Sequence, residues 1–134
     1  MHWIALAVVL ALIEYMVFVL LVARARGVYK VQAPAIIGHP VFERTLRVQQ
    51  NTLELLVVFL PALWLFGLFL SPPWGAVLGV VFILGRALYA WGYIRAPEHR
   101  EAGAVVSFAA VGLLLLGALA GVLRMVVLIL KGAG

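Results

Sequence analysis

Apolar residues in this chain run in long blocks instead of alternating with polar ones. The first block spans about residues 2–23 and is interrupted only by Glu14. The second opens at Pro40 with a polar stretch, RVQQNTLELL (residues 47–56), then runs apolar to about Leu70. The third covers about Trp74 to Arg95, and the fourth about Ala104 to Leu130. A helix needs roughly 20 mostly apolar residues to cross a bilayer, and each block offers them. Strands exposed on one face would alternate, and Leu- and Ala-rich runs of this length suit helices. No repeat, linker or low-complexity tail interrupts the series. The expected fold class is all-α: an integral membrane four-transmembrane-helix bundle, one domain over residues 1–134, with helices at about 2–26, 40–70, 74–95 and 103–131. Pro40 suits a first helical turn. Pro61 should kink its helix or locally open its hydrogen bonding. SPPW (Ser71 to Trp74) reads as a tight turn and APEHREAG as a short polar loop.

Composition strengthens this reading. The chain has 134 residues, of which 66% are hydrophobic and 11% charged, against about half and about a quarter in a soluble domain. A soluble domain this small could not hide so much apolar surface, so a bilayer is the expected solvent. The first block lacks the basic start and small-residue cleavage site of a signal peptide. There is no cysteine, so any thiol chemistry must use a thiol carried by a ligand. Basic residues outnumber acidic ones ten to five, and they collect between the first and second blocks (Arg24, Arg26, Lys30, Arg44, Arg47) and after the third (Arg95, Arg100). By the positive-inside rule loops one and three face the cytoplasm and both termini face outward. A bacterial inner membrane is the expected location.

That orientation gathers the conspicuous polar residues at one membrane face. Residues three and four apart share a helix face, which groups Arg47, Asn51 and Glu54, with Arg44 a turn earlier and Gln50 on the same side. In GRALYAWGYIR the same spacing groups Arg86, Tyr89 and Tyr93. Arg86 lies on the order of 14 Å from the helix end at Arg95, deeper than snorkelling readily explains. Ionisable groups at such depth usually pair or line a wet cavity. A structural Glu54–Arg86 ion pair is the plain reading. The surrounding Tyr, Asn and Gln favour instead a pocket for an anionic or zwitterionic ligand, since an ion pair alone needs no such company.

These residues also carry a family resemblance. FERTLRVQQNTLELLVVFLPALWL together with GRALYAWGYIR resembles the MAPEG family, the membrane-associated proteins in eicosanoid and glutathione metabolism. The pattern E-R-x-x-R-x-x-x-N-x-x-E from Glu43 to Glu54, joined to R-x-x-Y-x-x-x-Y from Arg86 to Tyr93, is the specific part, and the resemblance covers most of the chain. It implies a homotrimer of four-helix subunits with glutathione bound between neighbours near the cytoplasmic face. The matching positions are Arg26 at the end of the first helix, Arg47, Gln49, Asn51 and Glu54 on the second, and Arg86, Tyr89 and Tyr93 on the third. Arg100 matches a basic residue beyond the third helix.

The chemistry suits the residue types. Glutathione carries two carboxylates, an ammonium and a thiol. Guanidinium groups grip carboxylates through paired hydrogen bonds, Glu54 can take the ammonium, and tyrosines supply donors and ring faces. A free thiol has a pKa of about 8.5, and a neighbouring arginine favours its thiolate. The implied activity is membrane-bound glutathione transferase or peroxidase chemistry, with glutathione as co-substrate and a lipophilic electrophile or lipid hydroperoxide as second substrate. Some members carry a thiol-activating arginine directly after the position matching Arg26, where this chain has Gly27. Arg24, Arg26 or Arg100 can fill the role, or the chain is a non-catalytic member that binds glutathione or a lipid without turnover. A rival of another class is a small proton-coupled multidrug transporter using Glu14, although the basic pocket suits an anion better than a drug cation. His2, His39 and His99 have no metal-ligand spacing, so no metal is expected. The sparse basic residues at helix ends predict membrane lipids, not nucleic acid, as partners.

Overall fold

The computed structural model describes the whole chain, Met1 to Gly134. It contains four long helices and no strand: α1 (His2–Tyr29), α2 (Pro40–Phe69), α3 (Pro72–Arg95) and α4 (Glu101–Gly132), with a 3-10 turn over Pro97–Arg100 between the last two. All four are long and apolar enough to cross a membrane. Together they form a four-helix membrane bundle.

Local chemistry explains the helix ends. His39 and Ser71 are extended residues whose side chains accept the backbone N–H of Val41 and Trp74, and each is followed by proline in the first turn of its helix. α1 runs on through Gly27 to Tyr29 and ends where Lys30 turns left-handed (φ 55°). The Lys30 and Val31 amides then both bond the Arg26 carbonyl, closing the last turn. α2 continues through Pro61, although proline offers no N–H to the preceding turn.

The core lies between the helices at mid-span. Phe59 of α2 and Phe82 of α3 stack with ring centroids 3.8 Å apart, both fully buried. Ile4 and Ala7 of α1 close one side, and Ala110 and Leu114 of α4 the other. Small residues bring α3 and α4 close. A Cβ at Gly103 would collide with the Tyr89 backbone, and one at Gly92 with the His99 carbonyl. Close approach through small residues is the usual basis of helix packing in lipid, where apolar surface alone gives little driving force. Much of the remaining Leu, Val and Ile points outward, as on Leu84, Leu116 and Leu130, each more than 60% exposed. Exposure on that scale is a liability in water and ordinary in a bilayer.

Candidate functional site

The pinch at Gly103 positions the site. It holds the start of α4 against the Tyr89 turn of α3, and α2 forms the third wall. The open pocket between them has a volume of about 240 Å³. Arg47 and Asn51 come from α2, Tyr89 and Tyr93 from α3, and Arg100 from the 3-10 turn, while α4 adds Glu101 and Phe108. The Tyr89 and Tyr93 rings lie 5.5 Å apart, and the Arg100 guanidinium sits 5.7 Å from the Tyr93 ring centre. Arg47 is exposed, so its guanidinium is free to meet a ligand.

Behind this wall lies Arg86, fully buried. Its Nη2 donates to Asn51 Oδ1 at 2.8 Å, and its Nε and Nη2 donate to Thr52 Oγ1 at 3.2 and 3.0 Å. Its guanidinium also covers the Tyr89 ring at 4.2 Å. The Thr52 hydroxyl itself donates to the Val48 carbonyl at 2.8 Å. Arg86 thus grips two pocket residues, Asn51 and Tyr89, from the interior. Its Nη1 is buried without a partner, as is Glu14 Oε1 on α1.

Other residues of the sequence pattern lie elsewhere. Gln49 turns toward α1, where its amide donates to the Tyr15 hydroxyl at 2.7 Å. Arg26 donates to the Ala35 carbonyl at 2.7 Å and covers Phe42 at 4.8 Å. Arg24 lines a separate cavity against α1, α2 and α3. Glu54 is exposed on the outer side of α2, below Arg47 and Asn51. Of the three arginines offered for thiol activation, Arg100 alone lines the polar pocket. Sequence reasoning missed Thr52, Glu101 and Phe108. Thr52 follows Asn51 directly and shares its side of the helix with Val48. Glu101 lies in a stretch read as loop, and its partners there depend on how the 3-10 turn folds back.

The arrangement can hold an anion of several charged groups. Two guanidiniums, one carboxylate and two phenols converge on a pocket with apolar α4 at its lower edge. Pockets that enclose a small molecule usually have about 300–1,000 Å³. This one is smaller and open to the outside of the bundle.

Comparison with known proteins agrees with these features. A family model described as the MAPEG family matches residues 4–120. A protein of uncharacterised function from Synechocystis is 49% identical over 121 residues, covering 90% of this chain and 88% of its own. Human microsomal glutathione S-transferase 2 is 45% identical over 103 residues, 76% of this chain and 70% of that one. Leukotriene C4 synthase from Cavia porcellus is 39% identical over 106 residues, covering 79% and 71%.

Proposed function

The chain belongs to the MAPEG family, and from that premise we propose that it is an integral membrane glutathione transferase, with peroxidase activity toward lipid hydroperoxides as a second outlet of the same thiolate. The observation that carries this reading is the pocket between α2, α3 and α4. Its Arg47 can hold a carboxylate of glutathione, Glu101 offers a counter-charge for the ammonium, and Arg100 brings a second positive charge to the same pocket. Relatives named as a glutathione transferase and a leukotriene C4 synthase support glutathione as co-substrate.

Arg100 is the arginine we assign to thiol activation. It shares the pocket with the tyrosine pair, whereas Arg26 is bonded to the Ala35 carbonyl and Arg24 lines a different cavity. Its positive charge favours the thiolate over the thiol. The sulfur then forms a bond to an electrophilic carbon of a substrate dissolved in the lipid, chloride or another leaving group departs with the electron pair, and the thiol proton passes to water. Holding both reactants at the interface adds proximity.

The pocket's open side favours a homotrimer in which a neighbouring copy supplies the missing wall. Glu54 is a carboxylate exposed on a spanning helix, a costly position against lipid, and the surface of a neighbouring copy would cover it. The basic bias of the α1–α2 and α3–α4 connections assigns both to the cytoplasm, which puts the pocket within reach of cytosolic glutathione. Gly27, where some members carry arginine, favours a second reading in which glutathione binds without turnover.

Calorimetry of glutathione binding in detergent, beside turnover of a chlorinated aromatic electrophile, tests both readings. Arg47→Ala should weaken binding at least tenfold, and Arg100→Gln should lower kcat more than it raises KM. Binding without turnover in the parent protein selects the second reading. No binding by folded protein refutes both.

A further inference from the structure

A second feature lies on the other side of α3 and shares no residue with the polar pocket. Two cavities of about 170 and 350 Å³ meet along the seam between α1 and α3, with Leu21 and Ile94 common to both. Together they form one continuous groove. Ala87 and Ala90 leave its floor shallow, and Phe18 and Trp91 flank it. It is almost wholly apolar except at one end, where Arg24 of α1 and Arg95 of α3 stand on either side of Ile94.

No carboxylate pairs with the guanidiniums at this end. Arg95 lies over the Trp91 ring at 4.2 Å. A third arginine, Arg44 of α2, donates through Nε to the Ile94 carbonyl at 3.1 Å, where the free carbonyls at the end of α3 favour a cation. Two arginines from two helices therefore line an otherwise apolar slot, and a third is bonded to the backbone of Ile94 in its wall. The slot from Ile94 to Ala87 spans on the order of 10 Å along α3, against about 15 Å for one leaflet of hydrocarbon. A shape with charge at the top and oil beneath matches one lipid chain hanging from an anionic headgroup.

We propose that the α1–α3 groove is a binding site for an anionic phospholipid, its phosphate on Arg24 and Arg95 and one acyl chain along Leu21, Ala87 and Ile94. Charge selects this occupant. A zwitterionic lipid brings its own cation to the arginines, whereas an anionic lipid brings only the opposite charge.

The test uses the full protein in phosphatidylcholine nanodiscs titrated with phosphatidylglycerol, with retained lipid counted by native mass spectrometry. The parent protein should retain phosphatidylglycerol at concentrations where phosphatidylcholine is lost. Arg24→Gln with Arg95→Gln should weaken retention on the order of thirtyfold, the worth of two basic residues near an anionic surface. Ala87→Trp keeps every charge and fills the exposed floor of the groove, and should also abolish retention. Equal retention of both lipids, or retention unchanged in the arginine double variant, overturns the proposal. Retention unchanged in Ala87→Trp overturns it too, since the arginines would then act only as a surface patch. Cross-linking of Ala87→Cys copies to one another in phosphatidylglycerol discs would give the groove to a second copy and refute the lipid.

Discussion

Arg86→Met removes the group that ties the pocket wall to the interior. Methionine replaces the aliphatic stem but stops short of the guanidinium, so the change removes the fork of donors and the space it filled. Arg86 makes three hydrogen bonds, one to Asn51 and two to Thr52. Bonds to a charged group contribute about 1.5–3 kcal/mol each, but the sum overstates the loss for three reasons. Thr52 keeps its own bond to Val48. Half-buried Asn51 can turn to water. The variant also sheds a buried guanidinium whose Nη1 had no partner and whose desolvation opposed folding. Against these gains, the shorter methionine leaves a void where the guanidinium had packed. A net cost of about 2–4 kcal/mol remains. The functional cost follows from Asn51 and Tyr89 losing their anchor, and a tenfold fall in glutathione affinity corresponds to about 1.4 kcal/mol. Denaturant titration in mixed micelles reads the first quantity and calorimetry the second. Arg86→Lys separates charge from geometry, because one ammonium cannot span Asn51 and Thr52 as the fork does; it should recover less than half of the lost affinity. A Met variant as stable as the parent, with unchanged glutathione affinity, refutes the anchoring role.

Other perturbations probe independent parts of the structure. Gly103→Val drives a side chain into the Tyr89 backbone and should cost about 1–3 kcal/mol while abolishing glutathione binding, read by the same titrations. Gly27→Arg meets open space, so the unfolding temperature should stay within a degree or two, and turnover should change less than threefold if Arg100 already activates the thiol. A large rise in turnover would move that role to the end of α1. Phe59→Ala breaks the stack with Phe82. In lipid the transfer part of the usual penalty is small, because the surroundings are as apolar as the core. The packing part, about 1–3 kcal/mol, should remain, measurable as a shift in the unfolding midpoint.

The polar half of the site was largely legible in the sequence, because Arg47, Asn51, Tyr89 and Tyr93 repeat at helical spacing on two segments that end at the same membrane face. Arg86 was legible as a buried cation but not as a wall anchor. Its partner Thr52 is an unremarkable residue beside Asn51, and only the contact between α2 and α3 brings its hydroxyl to the guanidinium. Gln49 belongs to the same polar run as Asn51, yet two residues along a helix point to different sides, and Gln49 meets Tyr15 instead of the pocket. Arg24, Arg26 and Arg100 were equivalent on paper. The structure separates them because α1 is unbroken to Tyr29 and carries its two arginines away, while the 3-10 turn folds Arg100 back over Tyr93.

By itself the sequence determined the solvent, the number of helices, their approximate ends and the membrane face at which charge collects. Each of these depends on the length and composition of a single segment and on elementary rules of turns and caps. Tertiary structure alone decided which polar groups meet, which face lipid and where an apolar groove opens beside three arginines. The reason is physical. In a chain that is oily on almost every side, periodicity separates the faces of each helix but cannot rank them, because lipid and protein interior are equally apolar. The choice between them is made by contacts such as Gly103 against Tyr89 and Phe59 against Phe82, where close packing fixes the rotation of every helix about its axis.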